Sequence, residues 1–167
     1  MPMIDAILKE LEQESAATRR VLERVPEDKL GWKPHEKSMT LGLLATHIAT
    51  APGNMARMIS CDTFEFTEDY KLKPAASHAE LMQAFEASLA EAKRTLAQFD
   101  DESLGRLWTA KKGGVVAAQL PRMACLRSIL LNHLYHHRGQ LSVYLRLLDV
   151  PVPAIYGPSA DENPWKK

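Results

Sequence analysis

An excess of charge of either sign is what this 167-residue sequence most plainly lacks. Its 21 lysines and arginines are balanced by 21 aspartates and glutamates, and no basic cluster stands out. A nucleic-acid binder needs a positive patch or stripe to neutralise phosphates, so that function finds no support. Cysteine is scarce: Cys61 and Cys125 are the only two, without CxxC spacing. A disulfide framework is not expected, each thiol reads as a small buried apolar residue, and a reducing cytoplasm is the expected compartment. Long hydrophobic runs are missing too. None approaches the roughly 20 residues that span a bilayer, so no membrane partner is expected. The start, Met1-Pro2-Met3-Ile4-Asp5, has neither the basic region nor the apolar core of a secretory leader. Internal repeats and low-complexity segments are also absent. What remains, 46% hydrophobic and 25% charged residues, is an ordinary globular composition, long enough for one filled core in a single domain over residues 1–167.

Ile4, Ile7, Leu8, Leu11, Ala16, Thr18, Val21, Leu22 and Val25 recur at three- and four-residue steps. They predict an amphipathic helix closed by Pro26. Residues 27–37 read as a connector carrying Trp32. A second helix starts at Ser38 or Thr40, either able to cap it. Leu41, Leu44, Ile48, Met55 and Ile59 form its core stripe, with His47 on the shoulder and a kink expected at Pro52. Residues 60–76 read as a loop anchored by Phe64 and Phe66. Ser77-His78-Ala79-Glu80 fits a capping box, with His78 in solvent. It opens a third helix carrying Leu81, Met82, Phe85, Leu89, Ala92, Leu96 and Phe99. Residues 100–120 read as a long irregular connection, in which Lys111-Lys112-Gly113-Gly114 suits the turn of a small hairpin. Pro121 suits the first turn of a last long helix, which runs to about Asp149 and is stopped by Val150-Pro151-Val152-Pro153. The Ile155-Tyr156 pair suggests that the tail packs back. Four amphipathic helices with one long crossover predict an all-α fold, a four-helix bundle.

Half of the six histidines fall in the last helix. His133 and His137, four residues apart, share a face. On a regular helix Leu126, Leu130, His137, Leu141, Tyr144 and Leu148 occupy about a third of the circumference, with His133 at the edge of that stripe and His136 well off it. An inward imidazole costs free energy unless its nitrogens find partners. Two arrangements meet that requirement: core histidines bonded separately, or a divalent metal taking both, with His47 as third ligand. Three imidazoles leave a position open, as in catalytic rather than structural zinc sites. Nitrogen ligation suits Zn, Ni, Fe or Cu and argues against Ca or Mg. A closed, structural site would instead need a fourth ligand, and His35, Cys61, Cys125 or a tail carboxylate are the candidates.

The stretch Asn132-His133-Leu134-Tyr135-His136-His137-Arg138-Gly139-Gln140-Leu141 resembles the signature of the DinB-like (DinB/YfiT) family of small bacterial metalloproteins. Val25-Pro26 through Gly31-Trp32-Lys33-Pro34 resembles the family's connector after the first helix. Leu44-Ala45-Thr46-His47-Ile48-Ala49 resembles its second-helix histidine motif, and the segment from Val152 to Glu162 resembles the tail of one subgroup. The resemblance implies a four-helix bundle, often a homodimer, that binds a divalent metal through three histidines. Position by position these fall on His47, His133 and His137, while His136 matches a family residue that is not a ligand. Arg138 and Gln140 match the signature and read as helix-end or interhelical hydrogen-bonding residues. Tyr156, Ser159, Asp161 and Glu162 are candidates for the rim of the site on the resemblance alone.

Similar families include metal-dependent transferases and isomerases that use a low-molecular-weight thiol, and others that look like hydrolases. This chain has no HExxH glutamate and no carboxylate one turn from His133 or His137. That places thiol activation ahead of protease-like hydrolysis, because a metal lowers a thiol's pKa without an extra base. The expected function is a metalloenzyme activating a thiol or water for a small-molecule substrate. Ni, Zn or Fe, with a low-molecular-weight thiol, are its expected cofactors. The alternatives are a non-catalytic metal- or ligand-binding stress-response protein and a dimerising bundle whose histidines are structural.

Overall fold

The apolar positions of the first segment become one buried face: Ile4, Ile7, Leu11, Thr18, Val21 and Leu22 line the inner side of α1 (Met3–Leu22). A computed structural model describes residues 2–67 and 71–166 of the chain. After α1 comes a single 3₁₀ turn at Glu27–Lys29. Thr40 then caps α2 (Leu41–Ser60), its Oγ1 accepting from the Leu43 amide at 3.2 Å. The helix continues through Pro52. Directly after it, the Gly53 amide donates to Ser88 Oγ at 2.9 Å. A Cβ on Gly53 would meet the Ser88 carbonyl oxygen at 2.9 Å, so only glycine lets α2 lie this close to α3 (His78–Leu96).

Ser77 caps α3 by accepting from the Glu80 amide at 3.1 Å. The reciprocal bond of a capping box would reach the Ser77 amide; here Glu80 accepts from the Ala76 amide at 2.8 Å. His78 is half-buried, its Nε2 3.3 Å from the Leu22 carbonyl, and not in solvent as expected.

The region between α3 and the last helix is ordered. Asp100 and Ser103 form a full capping box on the short α4 (Asp101–Gly105). β2 (Leu107–Lys112) and β3 (Val115–Pro121) then form the expected hairpin. Gly113 and Gly114 sit at φ of +60° and +76° in its turn, the backbone that type I′ hairpins demand and that favours glycine. A register shift beside Ala110 and Lys111 leaves Ala117 as the extra residue of a bulge.

The expectation of an all-α chain needs correction. Thr63–Phe66, read as loop, is a strand, β1, pairing parallel to β2 in the order β1-β2-β3. Alternation in Phe64-Glu65-Phe66 was the available signal, but a four-residue strand that borrows its partner from about 45 residues downstream carries none of its own. Residues 68–70 of that expected loop lie outside the described residues. Trp108, 1% exposed, fastens the sheet to α2 through Nε1 to the Met58 carbonyl at 3.0 Å. Buried Arg122 adds its Nε to the Ile59 carbonyl at 3.1 Å and an ion pair to Asp62.

The chain is therefore mostly helical with a small three-stranded sheet. Its last helix is not one regular helix. After α5 (Arg122–Cys125) comes a π segment, Leu126–Leu131, and then α6 (Asn132–Leu147). Asp149, at φ +56°, closes α6 in the left-handed conformation, and the Val150 amide bonds the Leu145 carbonyl at 2.9 Å.

Candidate metal centre

The π segment decides which way the histidines point. Its i→i+5 bonding adds a residue to the turn, so Leu126 and Leu130 no longer predict the phase of α6. The buried line of α6 is Leu134, Arg138, Leu141 and Leu145. His133, His137 and Tyr144 are half-buried on its shoulder. The expected stripe through His137 and Tyr144 is thus displaced toward Leu134 and Leu145. The histidines lie along the seam between α6 and α2, open on one side.

His47 meets them there from α2. One ring nitrogen from each of His47, His133 and His137 lies within 4.8 Å of the others. Nε2 of His47 and Nε2 of His133 are 2.7 Å apart, and each of these two rings stands edge-on to His137, at centroid distances of 4.5 and 4.3 Å. Nδ1 of His137 is 2.7 Å from Gln140 Oε1. An amide oxygen only accepts, so this nitrogen carries the proton and Nε2 keeps its lone pair. Burial pushes all three imidazoles below their ordinary 6.5, His133 to about 4. Neighbouring rings add to this: His137 acts on His47, and His137, His47 and His136 act on His133. At His137, Gln140 opposes the shift and His136 reinforces it. The neutral imidazole is the form that ligates metal. Three neutral, convergent nitrogen donors fit a divalent transition metal.

Other candidates lie outside this group. His136 is exposed; its ring centroid is 4.8 Å from that of His137, but it does not join the cluster. His35 is exposed and accepts from the Lys37 amide at 3.1 Å. Cys125 is fully buried, and burial pushes its thiol up. Cys61 is exposed, against the expectation that both thiols are buried. Among the described residues, no fourth side chain of ligand type completes the set.

The tail side chains, expected at the rim, are engaged in fastening the tail. Ser159 Oγ donates to the Val152 carbonyl at 2.6 Å. Asp161 pairs with Arg146 and accepts from the Val152 amide at 2.8 Å. Glu162 pairs with Arg20 and accepts from the Ala154 amide at 2.5 Å. Tyr156 Oη donates to Glu14 Oε2 at 2.7 Å and accepts from Arg138 at 2.5 Å. Arg138 makes the interhelical bonds expected of it, to Glu14 and Thr18 of α1. Gln140 instead stays within its own helix, on His137. Sequence reading passed over Glu10, which accepts from Tyr135 Oη at 2.7 Å and Arg127 at 2.5 Å. No spacing announces that contact, because α1 and α6 meet only in the fold.

Three convergent imidazoles on two helices of a mostly helical chain define a small histidine-cluster protein. The chain belongs to the DinB family, which matches residues 1–166. It is 29% identical over 164 residues to the protein YrdA of Bacillus subtilis (strain 168), covering 98% of this chain and 93% of that one. Two solved structures share the fold. A DinB-like protein from Bacillus cereus ATCC 10987 has a TM-score of 0.71 at 22% identity, over 91% of this chain and 97% of the other. A DinB-like protein from Bacillus subtilis, YjoA, has a TM-score of 0.67 at 22% identity, over 87% and 95%.

Gln140 fixes the tautomer and orientation of His137, the role that outer hydrogen-bond partners play around metal ligands. Gln140→Ala is expected to weaken zinc binding by about 10- to 100-fold with little change in the metal-free protein's melting temperature. Competition titration against a chromophoric chelator would read this.

Proposed function

We propose that this protein is a metal-dependent enzyme holding one divalent transition metal ion, Ni, Zn or Fe, on His47, His133 and His137. The convergence of three neutral imidazoles, with no fourth ligand among the described residues, carries the reading. When bound, the ion supplies a Lewis acid able to lower the pKa of a thiol or water near neutral pH. His47 and His133 present Nε2, and Gln140 holds His137 by Nδ1 so that its Nε2 is the free donor. A thiol-dependent transferase is favoured over a hydrolase. Among the described residues no carboxylate joins the cluster as a general base, and Glu10 and Glu14 on α1 are committed to Arg127, Tyr135, Arg138 and Tyr156.

That same shortage of a base supports a second reading, a non-catalytic metal- or ligand-binding protein of a stress response. We further read α1, α2, α3 and α6 as a four-helix bundle forming a single domain, working as a cytoplasmic homodimer on a small molecule and not on nucleic acid or membrane. Among the described residues no helix is long and apolar enough to cross a membrane.

Elemental analysis of untagged protein tests the centre. About one ion per chain is expected. No metal after incubation with Ni, Zn or Fe(II) would overturn the reading. Chelator-sensitive thiol transfer would then separate the enzyme from the binding protein.

A further inference from the structure

The histidines are half-buried along the seam between α2 and α6, whose two ends differ in chemistry. Helices α2 and α6 pack against each other, and they run antiparallel. His47 meets His133 and His137, while Tyr144 Oη donates to the carbonyl of Met39, just before α2 begins, at 3.2 Å. On α6, His133, His137, Gln140 and Tyr144 are spaced i, i+4, i+7 and i+11, one line along the helix. On α2, Leu43, His47, Thr50 and Asn54 have the same spacing, and all four are half-buried. On the α6 line His133, His137 and Tyr144 are half-buried too and Gln140 is exposed, so the two facing lines mark a seam that solvent reaches.

One end of that seam is apolar and aromatic. Trp32 stands edge-on to Tyr144 with centroids 5.7 Å apart. The Trp32 carbonyl accepts from the Leu41 amide at 2.7 Å, which places the tryptophan at the start of α2, the end of that helix that carries Leu43. Tyr144 lies two turns, about 10 Å, beyond His137. In the other direction the α2 line turns polar, through Thr50 and Asn54.

Resting on the metal reading above, we propose that the Trp32–Leu43–Tyr144 end of this seam is a substrate subsite. It accepts the aromatic or branched apolar body of a small molecule whose thiol is directed to the three histidines. Trp32 and Tyr144 are held by backbone bonds and by each other, so the aromatic wall exists before ligand arrives and costs little ordering on binding. These residues determine specificity and take no part in chemistry.

Two thiols on Co(II)-loaded protein provide the test: phenylmethanethiol, which has an aromatic body, and 2-mercaptoethanol, which has none. Binding is read from the thiolate-to-cobalt absorption band. Wild type is expected to hold phenylmethanethiol at least about tenfold more tightly, the effect of burying one aromatic ring. Trp32→Ala should remove most of that preference and Leu43→Ala part of it, with cobalt content and 2-mercaptoethanol affinity unchanged. Leu43→Ala decides the matter if Trp32→Ala does not fold. Cobalt bound with no preference between the thiols, with no thiol held at all, or with a preference that survives Leu43→Ala and a folded Trp32→Ala, would overturn the subsite and leave the metal centre standing. Failure to bind cobalt would overturn the metal centre itself, and the subsite with it.

Discussion

His137→Ala is expected to strip the protein of metal, whereas His136→Ala should keep close to one ion per chain. The two rings are neighbours in sequence and their centroids are 4.8 Å apart, so nothing cruder than helical phase separates them. His137 offers its nitrogen to the cluster, and His136 faces solvent. Losing one of three protein ligands should cost more than the roughly 100-fold that follows loss of an outer hydrogen-bond partner. The loss should also appear as stability. At zinc concentrations 100-fold above the dissociation constant, binding to the native state contributes about 2.7 kcal/mol, some 5–10 °C of melting temperature for a chain of this size. Wild type should show that shift, lose it to chelator, and His137→Ala should never show it. Without metal the variant should be no less stable than wild type, since the ring it removes sits desolvated among other imidazoles. Acid should release the ion late. All three pKa values are lowered, so the rings take up protons only below 6.5, and His133 only near 4. Loading should therefore persist to a lower pH than it would on imidazoles of ordinary pKa. Equal metal loss in His136→Ala and His137→Ala would show that the helical face has been misassigned.

The face was legible in part. Local spacing placed His133 and His137 together because four residues make a turn whatever the surroundings. It misjudged the leucines around them because Leu126–Leu131 winds as a π segment, and no feature of Leu-Arg-Ser-Ile-Leu-Leu announces that. α1, α2 and α3 were readable because each carries a periodic apolar stripe, and Thr40 and Ser77 cap where a hydroxyl should. β1 was not, since it is a strand only by virtue of β2. The third histidine was the hardest inference from residues alone: His47 sits on the shoulder of its own stripe, and only packing of α2 on α6 turns that shoulder into a site. The tail shows the opposite error. Its carboxylates and Tyr156 looked available for a site, but Arg20, Arg146 and Arg138, between 15 and 142 residues away in sequence, already claim them.

Arg138→Met is expected to destabilise the protein by about 3 kcal/mol, a fall of roughly 6–12 °C in melting temperature. The guanidinium is 2% exposed and Glu14, its ion-pair partner, has a side chain 15% exposed. In that setting the pair is worth less than the damage done by breaking it, because the carboxylate is left without its counter-charge. The Glu14 carbonyl and Thr18 Oγ1 lose a donor at the same time, at 3.0 and 3.2 Å. Tyr156 keeps its bond to Glu14, which is why the estimate stands at the low end for a severed buried pair. The charge also lies over the Tyr135 and Tyr156 rings, 5.5 and 5.2 Å from their centroids, so the tail loses its hold on the helices. Arg138→Lys should recover only part of the loss, since an ammonium cannot span the two α1 acceptors and the Tyr156 hydroxyl as a planar fork does. Adding Glu14→Gln to Arg138→Met should restore stability relative to the single variant by removing the stranded charge, and denaturant unfolding of the four proteins gives the coupling. Metal content separates this role from that of its neighbour: a folded Arg138→Met protein should load as wild type does, because Arg138 fastens α6 to α1 and takes no place in the cluster. If Arg138→Met unfolds no more easily than wild type, the ion pair with Glu14 is not what holds α1, α6 and the tail together.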